Sequence, residues 1–158
     1  MHQNIMVSYD GSEESVHALE EAKELLAGSE DMTLSIVQVI SDKEIEAPIE
    51  MGWYGTMTEY QTIDPAVVAK LHDKLVTTKR AALHDELDRY VSNLPNKVGF
   101  HIEPQTASIA DSLIDFAEHH DIDLIVMGCR GLGAIRGVLG SVSYAVLRSA
   151  KVPVLIVK

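Results

Sequence analysis

Residues 124–143 read LIVMGCRGLGAIRGVLGSVS, and this stretch decides the fold. Its first four residues are apolar and end at a glycine, which is typical of a strand buried in a parallel sheet. A helix is predicted to begin at Ser141, so the residues between form a glycine-rich loop from strand to helix. The order of strand, loop and helix is the repeating unit of α/β proteins.

The loop predicts an anion-binding site. Five glycines lie between residues 128 and 140, and glycines let the main chain turn tightly and direct several N–H groups at one anion. The start of the following helix adds unpaired N–H groups and the positive end of the helix dipole. Arg130 and Arg136 add charge to this cradle or are simply solvated surface residues.

Two common phosphate-binding motifs do not fit the loop. A Walker loop needs Gly-Lys followed by Ser or Thr, and the chain contains no Gly-Lys pair. The dinucleotide pattern G-x-G-x-x-G places Arg136 where the third glycine belongs, and it follows a first strand rather than a fourth. The loop therefore indicates an anion near a helix start without naming the anion.

The flanking sequence repeats the same alternation of elements. Strands are predicted at 4–8, 33–40, 98–102, 124–127 and 154–157, and helices at 12–28, 65–92, 108–119 and 141–150. Residues 41–65 lack a regular period and predict an irregular insert or lid. Residues 1–158 are therefore expected to form one α/β domain, a Rossmann-like, five-stranded parallel open sheet with helices on both faces.

Ligands in such sheets bind beyond the carboxyl ends of the strands, where the winding direction reverses. The polar and glycine-rich turns follow strands one and four, so these strands are predicted to be neighbours at that point. Asp10, at the end of strand one, can accept hydrogen bonds from ribose hydroxyls. It can equally be a turn-forming aspartate before Gly11.

Composition narrows the functional classes. A formal net charge of −11 argues against general binding to nucleic acids or anionic membranes. Cys129 is the only cysteine, so an intrachain disulfide is impossible. No apolar run reaches the roughly 18 residues of a membrane span and no signal peptide opens the chain, so a cytoplasmic location is expected.

The charge is unevenly distributed along the chain. Residues 124–158 hold five basic residues and no acidic one, whereas residues 1–123 hold 8 basic and 24 acidic residues. The basic excess either makes room for an anion or reflects a buried strand and a packed loop that exclude acids.

Four features, in this order, resemble the universal stress protein family and together cover essentially the whole chain. They are Asp10-Gly11-Ser12 after strand one, DLIVMG at 123–128, the loop that ends at residues 140–143 (GSVS), and VPVLIV at 152–157. The resemblance implies the fold of the adenine-nucleotide alpha-hydrolases and membership of the branch that binds ATP, with AMP or ADP as other ligands. It also implies Mg²⁺ or Mn²⁺ held with the phosphates.

The resemblance also implies a set of binding residues. Asp10 would contact the ribose, and Val39 would meet the adenine through its backbone. Ser8 and Tyr9 belong to the same site at the end of strand one. The residues implied around ribose and phosphates are Met127, Gly128, Arg130, Gly131, Gly140, Ser141, Val142 and Ser143.

Two departures from the family pattern affect this expectation. Eight residues separate Gly131 from Gly140, whereas the branch carries nine. The shorter loop either still wraps the phosphates or shifts Gly140 and weakens binding. Gln105-Thr106-Ala107 stands where many relatives have a glycine-containing turn, which concerns the neighbouring turn more than the nucleotide site.

Three functions remain open. The favoured one is an ATP-binding regulatory protein of the stress response whose conformation or assembly depends on the nucleotide. The alternatives are a slow, metal-dependent ATPase and a nucleotide-free dimeric interaction module. For all three, the apolar run at 152–157 predicts a homodimer paired through an edge strand.

Minor candidates carry less weight. Adjacent His119 and His120 point in different directions on a helix, so solvated helix-end residues are favoured over a metal site. Ser141 or Ser143 as a nucleophile lacks a G-x-S-x-G elbow. Cys129 is favoured as a bystander thiol over an oxidant sensor.

Overall fold

The structure, a computed structural model, describes residues 3–41, 44, 65–132 and 138–158. All nine predicted elements are present within these ranges. In chain order they are β1 (Asn4–Ser8), α1 (Glu13–Leu26), β2 (Thr33–Ile40), α2 (Pro65–Val91), β3 (Lys97–Pro104), α3 (Ile109–His119), β4 (Leu124–Gly128), α4 (Ser141–Ser149) and β5 (Val154–Val157).

The five strands form one parallel sheet in the order β3-β2-β1-β4-β5. The chain winds outward from β1 to β3 and then returns to the other side of β1 with β4. The predicted contact of strands one and four is confirmed, since Ile5 pairs with Leu124 and Ser8 with Met127. The winding therefore reverses between β1 and β4, where ligands bind in open α/β sheets.

Helices cover both faces of the sheet. On one face α1 packs over β1 and β4 and α2 packs over β3, and the core beneath them fully buries Leu19 and Leu87. On the other face α3 and α4 pack over Met6, Ile125 and neighbouring residues. Alternate strand residues thus enter two apolar cores, and the predicted five-stranded open sheet is confirmed.

Local sequence fixes both ends of α1. Ser12 caps its first turn, with the Ser15 N–H donating to the Ser12 hydroxyl at 3.2 Å. After the helix ends, Gly28 adopts φ +94°, a conformation that side chains disfavour. Leu25 lies at helical spacing from the buried Ala22, yet it is 43% exposed. It lies beside the apolar stripe of the helix rather than within it.

α2 is fully buried only at Leu83, Leu87 and Val91, in its carboxyl-terminal part, whereas Leu75 and Val76 pack against the core while partly exposed. Leu71, one turn earlier, is half-buried, and Ala82, beside Leu83, is exposed. A helix of 27 residues is longer than the strands that it covers, so its first turns extend past them.

Several boundaries differ modestly from prediction. β3 continues to Pro104, beyond the predicted end at residue 102, because β2 offers partners as far as Ile40. Most of the irregular insert predicted at 41–65 lies outside the described residues. No helix in the described part of the chain has the length and apolar character to span a membrane.

Candidate functional site

A cavity of about 730 Å³ lies at the carboxyl ends of β1, β2 and β4, where the winding reverses. All twelve residues predicted to bind a nucleotide line it. Eight further residues also contribute: Ser15, Gln38, Ser41, Glu44, Ile109, Leu132, Val138 and Leu139. The structure thus brings the predicted residues together, and their contacts with a ligand stay a prediction.

Some of these further residues carried a signal in the sequence and others did not. Gln38 and Ser41 flank Val39 and Ile40 at the end of β2, so their position on the ligand edge follows from the fold. Ile109 opens α3 across the sheet from α1, and only the packing of that helix brings it to the cavity.

Asp10 ties the turn after β1 to the glycine-rich loop. Its Oδ1 accepts hydrogen bonds from the N–H and the hydroxyl of Ser12, at 3.0 and 2.5 Å. Its Oδ2 accepts the N–H of Leu132 at 3.3 Å. The turn-forming role considered for Asp10 is therefore present, and the same carboxylate also faces the cavity.

Two glycines of the loop are required by close packing. A Cβ on Gly131 would collide with Oδ2 of Asp10. A Cβ on Gly128 would lie 2.7 Å from the Cβ of Glu14 and 2.8 Å from its carbonyl carbon. The end of β4 and the start of the loop therefore lie directly against the β1–α1 turn.

The shortened loop returns to the end of β4. The N–H of Gly140 donates to the carbonyl of Cys129 at 2.8 Å, and a Cβ on Gly140 would lie 3.3 Å from the Cα of Arg130. Residues 133–137 lie outside the described part of the chain. The eight-residue spacing thus still brings Gly140 beside Arg130 and Gly131.

The amino terminus of α4 borders the cavity. Gly140 is its N-cap and has no side-chain cap hydrogen bond. The first backbone N–H groups of a helix lack partners within the helix, so this end presents donors and a positive dipole to the cavity. Ser143 is buried and donates its hydroxyl to the carbonyl of Gly128 at 2.9 Å, which joins the helix to β4.

Arg130 is engaged within the protein. Its Nη2 lies 3.0 Å from Oε1 of Glu14, on the first turn of α1, and the two side chains are 24% and 22% exposed. The sequence predicted Arg130 either beside an anion or in solvent. It pairs with Glu14, which the sequence did not suggest as its partner, and its contact with a nucleotide stays a prediction.

The β1 end contributes two predicted residues with different orientations. Ser8 lies at the last β1 pair, opposite Val37 and Met127. Tyr9 belongs to the core under α1 and α2, and its hydroxyl donates to Glu86 at 2.5 Å. Burial and the Glu86 carboxylate raise the pKa of Tyr9 far above its usual range. The Tyr9 hydroxyl is therefore hydrogen-bonded to a residue of α2.

The β2 end of the cavity holds an apolar patch beside the polar residues Gln38, Ser41 and Glu44. β2 continues past its last pair with β1, which joins Ser8 to Val37, so Val39 lies beyond the end of β1. Val39, Ile109 and Val142 form the patch and pack against the core under α3 and α4, which also holds Met127. The cavity thus has an apolar patch at its β2 end and a glycine-rich end at β4.

Of the minor candidates, Ser141 and Ser143 line the cavity, whereas His119, His120 and Cys129 do not. The ring of His120 stacks on Phe116 at 3.9 Å, and Nδ1 of His119 contacts the carbonyl of Asp115 at 2.6 Å. Within residues 3–41, 44, 65–132 and 138–158 no three His, Cys, Asp or Glu side chains are grouped to hold a metal ion. Cys129 is half-buried, and its N–H donates to Val157.

Known proteins resemble the chain along its whole length. The model of the Universal stress protein family matches residues 1–158. A universal stress protein of Methanocaldococcus jannaschii is 28% identical over 159 residues, which cover 100% of this chain and 83% of that protein.

Solved structures share the fold. The hypothetical protein MJ0577 superposes with a TM-score of 0.75 and 23% identity, covering 100% of this chain and 96% of its own. A universal stress protein in complex with cAMP has a TM-score of 0.58 and 25% identity, and the match covers 99% of this chain and 96% of that one. The universal stress protein from Archaeoglobus fulgidus in complex with dAMP has a TM-score of 0.54 and 20% identity, and the match covers 99% of this chain and 98% of that one.

Proposed function

Because the chain belongs to the universal stress protein family, we propose that it binds an adenine nucleotide in the cavity between β1 and β4. We further propose that it is a regulatory protein of the stress response whose conformation or assembly depends on that nucleotide. Two structural neighbours are described as complexes with cAMP and dAMP, and both of these ligands carry adenine.

One observation carries the proposal. One cavity of about 730 Å³ is bordered by the helix start at Gly140 and Ser141, by Gly131 and by the carboxylate of Asp10. Small-molecule sites span roughly 300–1,000 Å³, so a nucleotide is of suitable size. Backbone donors at a helix start suit phosphate, and a carboxylate suits ribose hydroxyls.

The two ends of the cavity suggest an orientation for the ligand. Adenine is proposed to lie on the apolar patch of the β2 end, near Val39 and Ile109, with the ribose beside Asp10. The phosphates then lie at Gly131 and Gly140. β2, β1 and β4 are adjacent, and three neighbouring strands span about 10 Å, a length that suits a nucleoside.

ATP is the proposed ligand, as the glycine loop of the family branch implies, with AMP or ADP as other occupants. The described residues offer no grouped metal ligands, so we propose that Mg²⁺ or Mn²⁺ binds through the phosphates. Hydrolysis is proposed to be slow, because the Asp10 carboxylate at the loop already accepts bonds from Ser12 and Leu132.

Co-purification tests the proposal directly. Protein purified without added nucleotide is denatured gently, and the released small molecules are identified by mass spectrometry. The proposal expects ATP, ADP or AMP in the supernatant, or micromolar binding of ATP to nucleotide-free protein by calorimetry. Absence of both would favour the nucleotide-free interaction module.

Assembly is proposed to be a homodimer paired through β5, which forms one edge of the sheet. Leu155 and Ile156 pack into opposite cores, so neither side chain is free to carry the contact alone. The carbonyls of Pro153 and Val157 face β4, and alternation along a strand therefore turns the N–H of Val154 toward the free edge.

Val154→Pro tests this dimer with little disturbance of the β4 ladder. The variant removes an outward donor and places a ring on the edge, so we expect a folded monomer by light scattering. Circular dichroism and thermal unfolding verify the fold. A dimer that persists in the folded variant would place the interface elsewhere.

A further inference from the structure

The Arg130–Glu14 pair changes the electrostatics of the proposed phosphate end. Among the described residues that line the cavity, the charged ones are Asp10, Glu44 and Arg130. Glu44 is paired with Lys79 at 2.7 Å, whereas Asp10 remains at the loop. The single cation of this lining already has Glu14 as its counterion.

The fold holds both partners of the pair in place. Gly128 lies against the backbone of Glu14 so closely that an added Cβ would be 2.9 Å from the Glu14 carbonyl oxygen. On the other side, the backbone of Cys129 is bound to Val157 and to Gly140, which fixes the residue before Arg130. Packing of β4 on α1 therefore holds the backbones of the two partners close together.

From this geometry we infer that Glu14 is a specificity-determining residue. It limits how much the affinity of the site increases with the number of charged phosphates on the ligand. This inference rests on the proposed nucleotide site. With Glu14 offsetting the charge of Arg130, the described residues attract each added phosphate chiefly through backbone donors and the α4 dipole. The site consequently discriminates weakly between ATP and AMP.

Removal of the Glu14 charge should have an effect that increases with ligand charge. Glu14→Gln keeps the shape and the hydrogen-bonding capacity of the side chain but frees the charge of Arg130. We expect affinity to rise about fivefold for ATP and less than about twofold for AMP. Adenosine, which carries no phosphate, should bind equally to both proteins.

Glu13→Gln is the matched control. Glu13 precedes Glu14 on the same turn of α1, but its side chain is 85% exposed and its nearest ionic partner is His17 at 4.0 Å. It makes the same change in net charge at the same helix end. The inference expects its affinities to match the wild type, which separates the Arg130 contact from a general charge effect.

Calorimetric titrations with ATP, AMP and adenosine, without divalent cations and at two salt concentrations, test the inference. The increase in ATP affinity caused by Glu14→Gln should be smaller at high salt. Adding Arg130→Gln to the Glu14→Gln protein should abolish this increase. An unchanged or weaker ATP affinity in folded Glu14→Gln protein overturns the inference, while wild-type binding upholds the proposed function.

The remaining outcomes are also distinct. If Glu14→Gln binds ATP and the wild type does not, the inference stands and the proposed function of the wild type fails. If none of the proteins binds ATP, AMP or adenosine, both the inference and the proposed function are overturned. If Glu14→Gln does not fold, Arg130→Gln alone decides the question. Little change in its ATP affinity supports the inference, whereas a tenfold loss shows that Arg130 is free to serve the phosphates and overturns it.

Discussion

Replacing Gly131 by alanine should weaken adenine-nucleotide binding sharply, although it adds only one methyl group. The new Cβ would collide with Oδ2 of Asp10, so either the carboxylate or the loop must move. Ser12 holds the other oxygen of Asp10 through two hydrogen bonds, whereas the bond from Leu132 to Oδ2 is long, at 3.3 Å. The contact between Asp10 and the loop should therefore yield first.

The magnitude follows from the bonds that Asp10 is proposed to make. A displaced carboxylate loses its hydrogen bonds to the ribose, and a hydrogen bond to a charged group contributes about 1.5–3 kcal/mol. One such bond lost, at about 2 kcal/mol, raises the Kd for ATP about thirtyfold. The cost to folding should be smaller, under about 1 kcal/mol, because the Leu132 bond is exposed.

A double-mutant cycle with Asp10→Ala assays this mechanism. Without the Asp10 carboxylate the methyl of Gly131→Ala has no oxygen to collide with, so it should cost little further affinity in calorimetric titrations. Gly131 does not have a positive φ, so backbone strain does not add to the collision there, and Gly28→Ala, at φ +94° with open space around it, measures the cost of strain alone. Equal losses from Gly131→Ala in both backgrounds would refute the collision as the cause.

Two further predictions concern stability. Ser143→Ala should lower the free energy of unfolding by about 1–2 kcal/mol in urea denaturation, because the Gly128 carbonyl loses its buried donor. Ser141→Ala, at the exposed start of the helix, should lower the free energy of unfolding less. Burial, together with nearby His120 and Arg80, lowers the pKa of His101. His101 therefore takes up a proton more readily in the unfolded chain than in the folded protein. Stability should be full above the unfolded pKa of about 6.5 and fall as the pH drops below it, less steeply in His101→Gln; identical pH profiles would contradict this.

The order and type of the elements could be predicted because each depends on local patterns. The apolar runs of β1 and β4 end at turn residues, and Ser12 and Ser108 cap helices with the hydrogen bonds that such residues make. Alternation of strand and helix then leaves few topologies. The neighbouring positions of β1 and β4 follow from that alternation together with the polar turns at their ends.

Other features depend on how elements cross and could not be read from one sequence. Leu25 and Ala82 lie at helical spacing from buried residues, yet both are exposed. The hydroxyl of Tyr9 reaches Glu86 because α2, which packs over β3, brings Glu86 beside the end of β1. The pairing of Arg130 with Glu14 likewise requires the contact of β4 with α1.

The basic carboxyl-terminal segment shows how charge that is segregated in sequence becomes neutralised in space. Arg130 pairs with Glu14, and Lys151 pairs with Glu118 at 2.9 Å, so two of its cations meet carboxylates from earlier elements. Arg148 lies 5.9 Å from the ring centroid of Tyr144 on its own helix. Three of the five basic residues thus have partners within the described part of the chain. Among the described residues, attraction for phosphate in the proposed site comes chiefly from backbone N–H groups beside Gly131 and at the start of α4. That is why a methyl group on Gly131 should cost more affinity than the loss of the Arg130 charge.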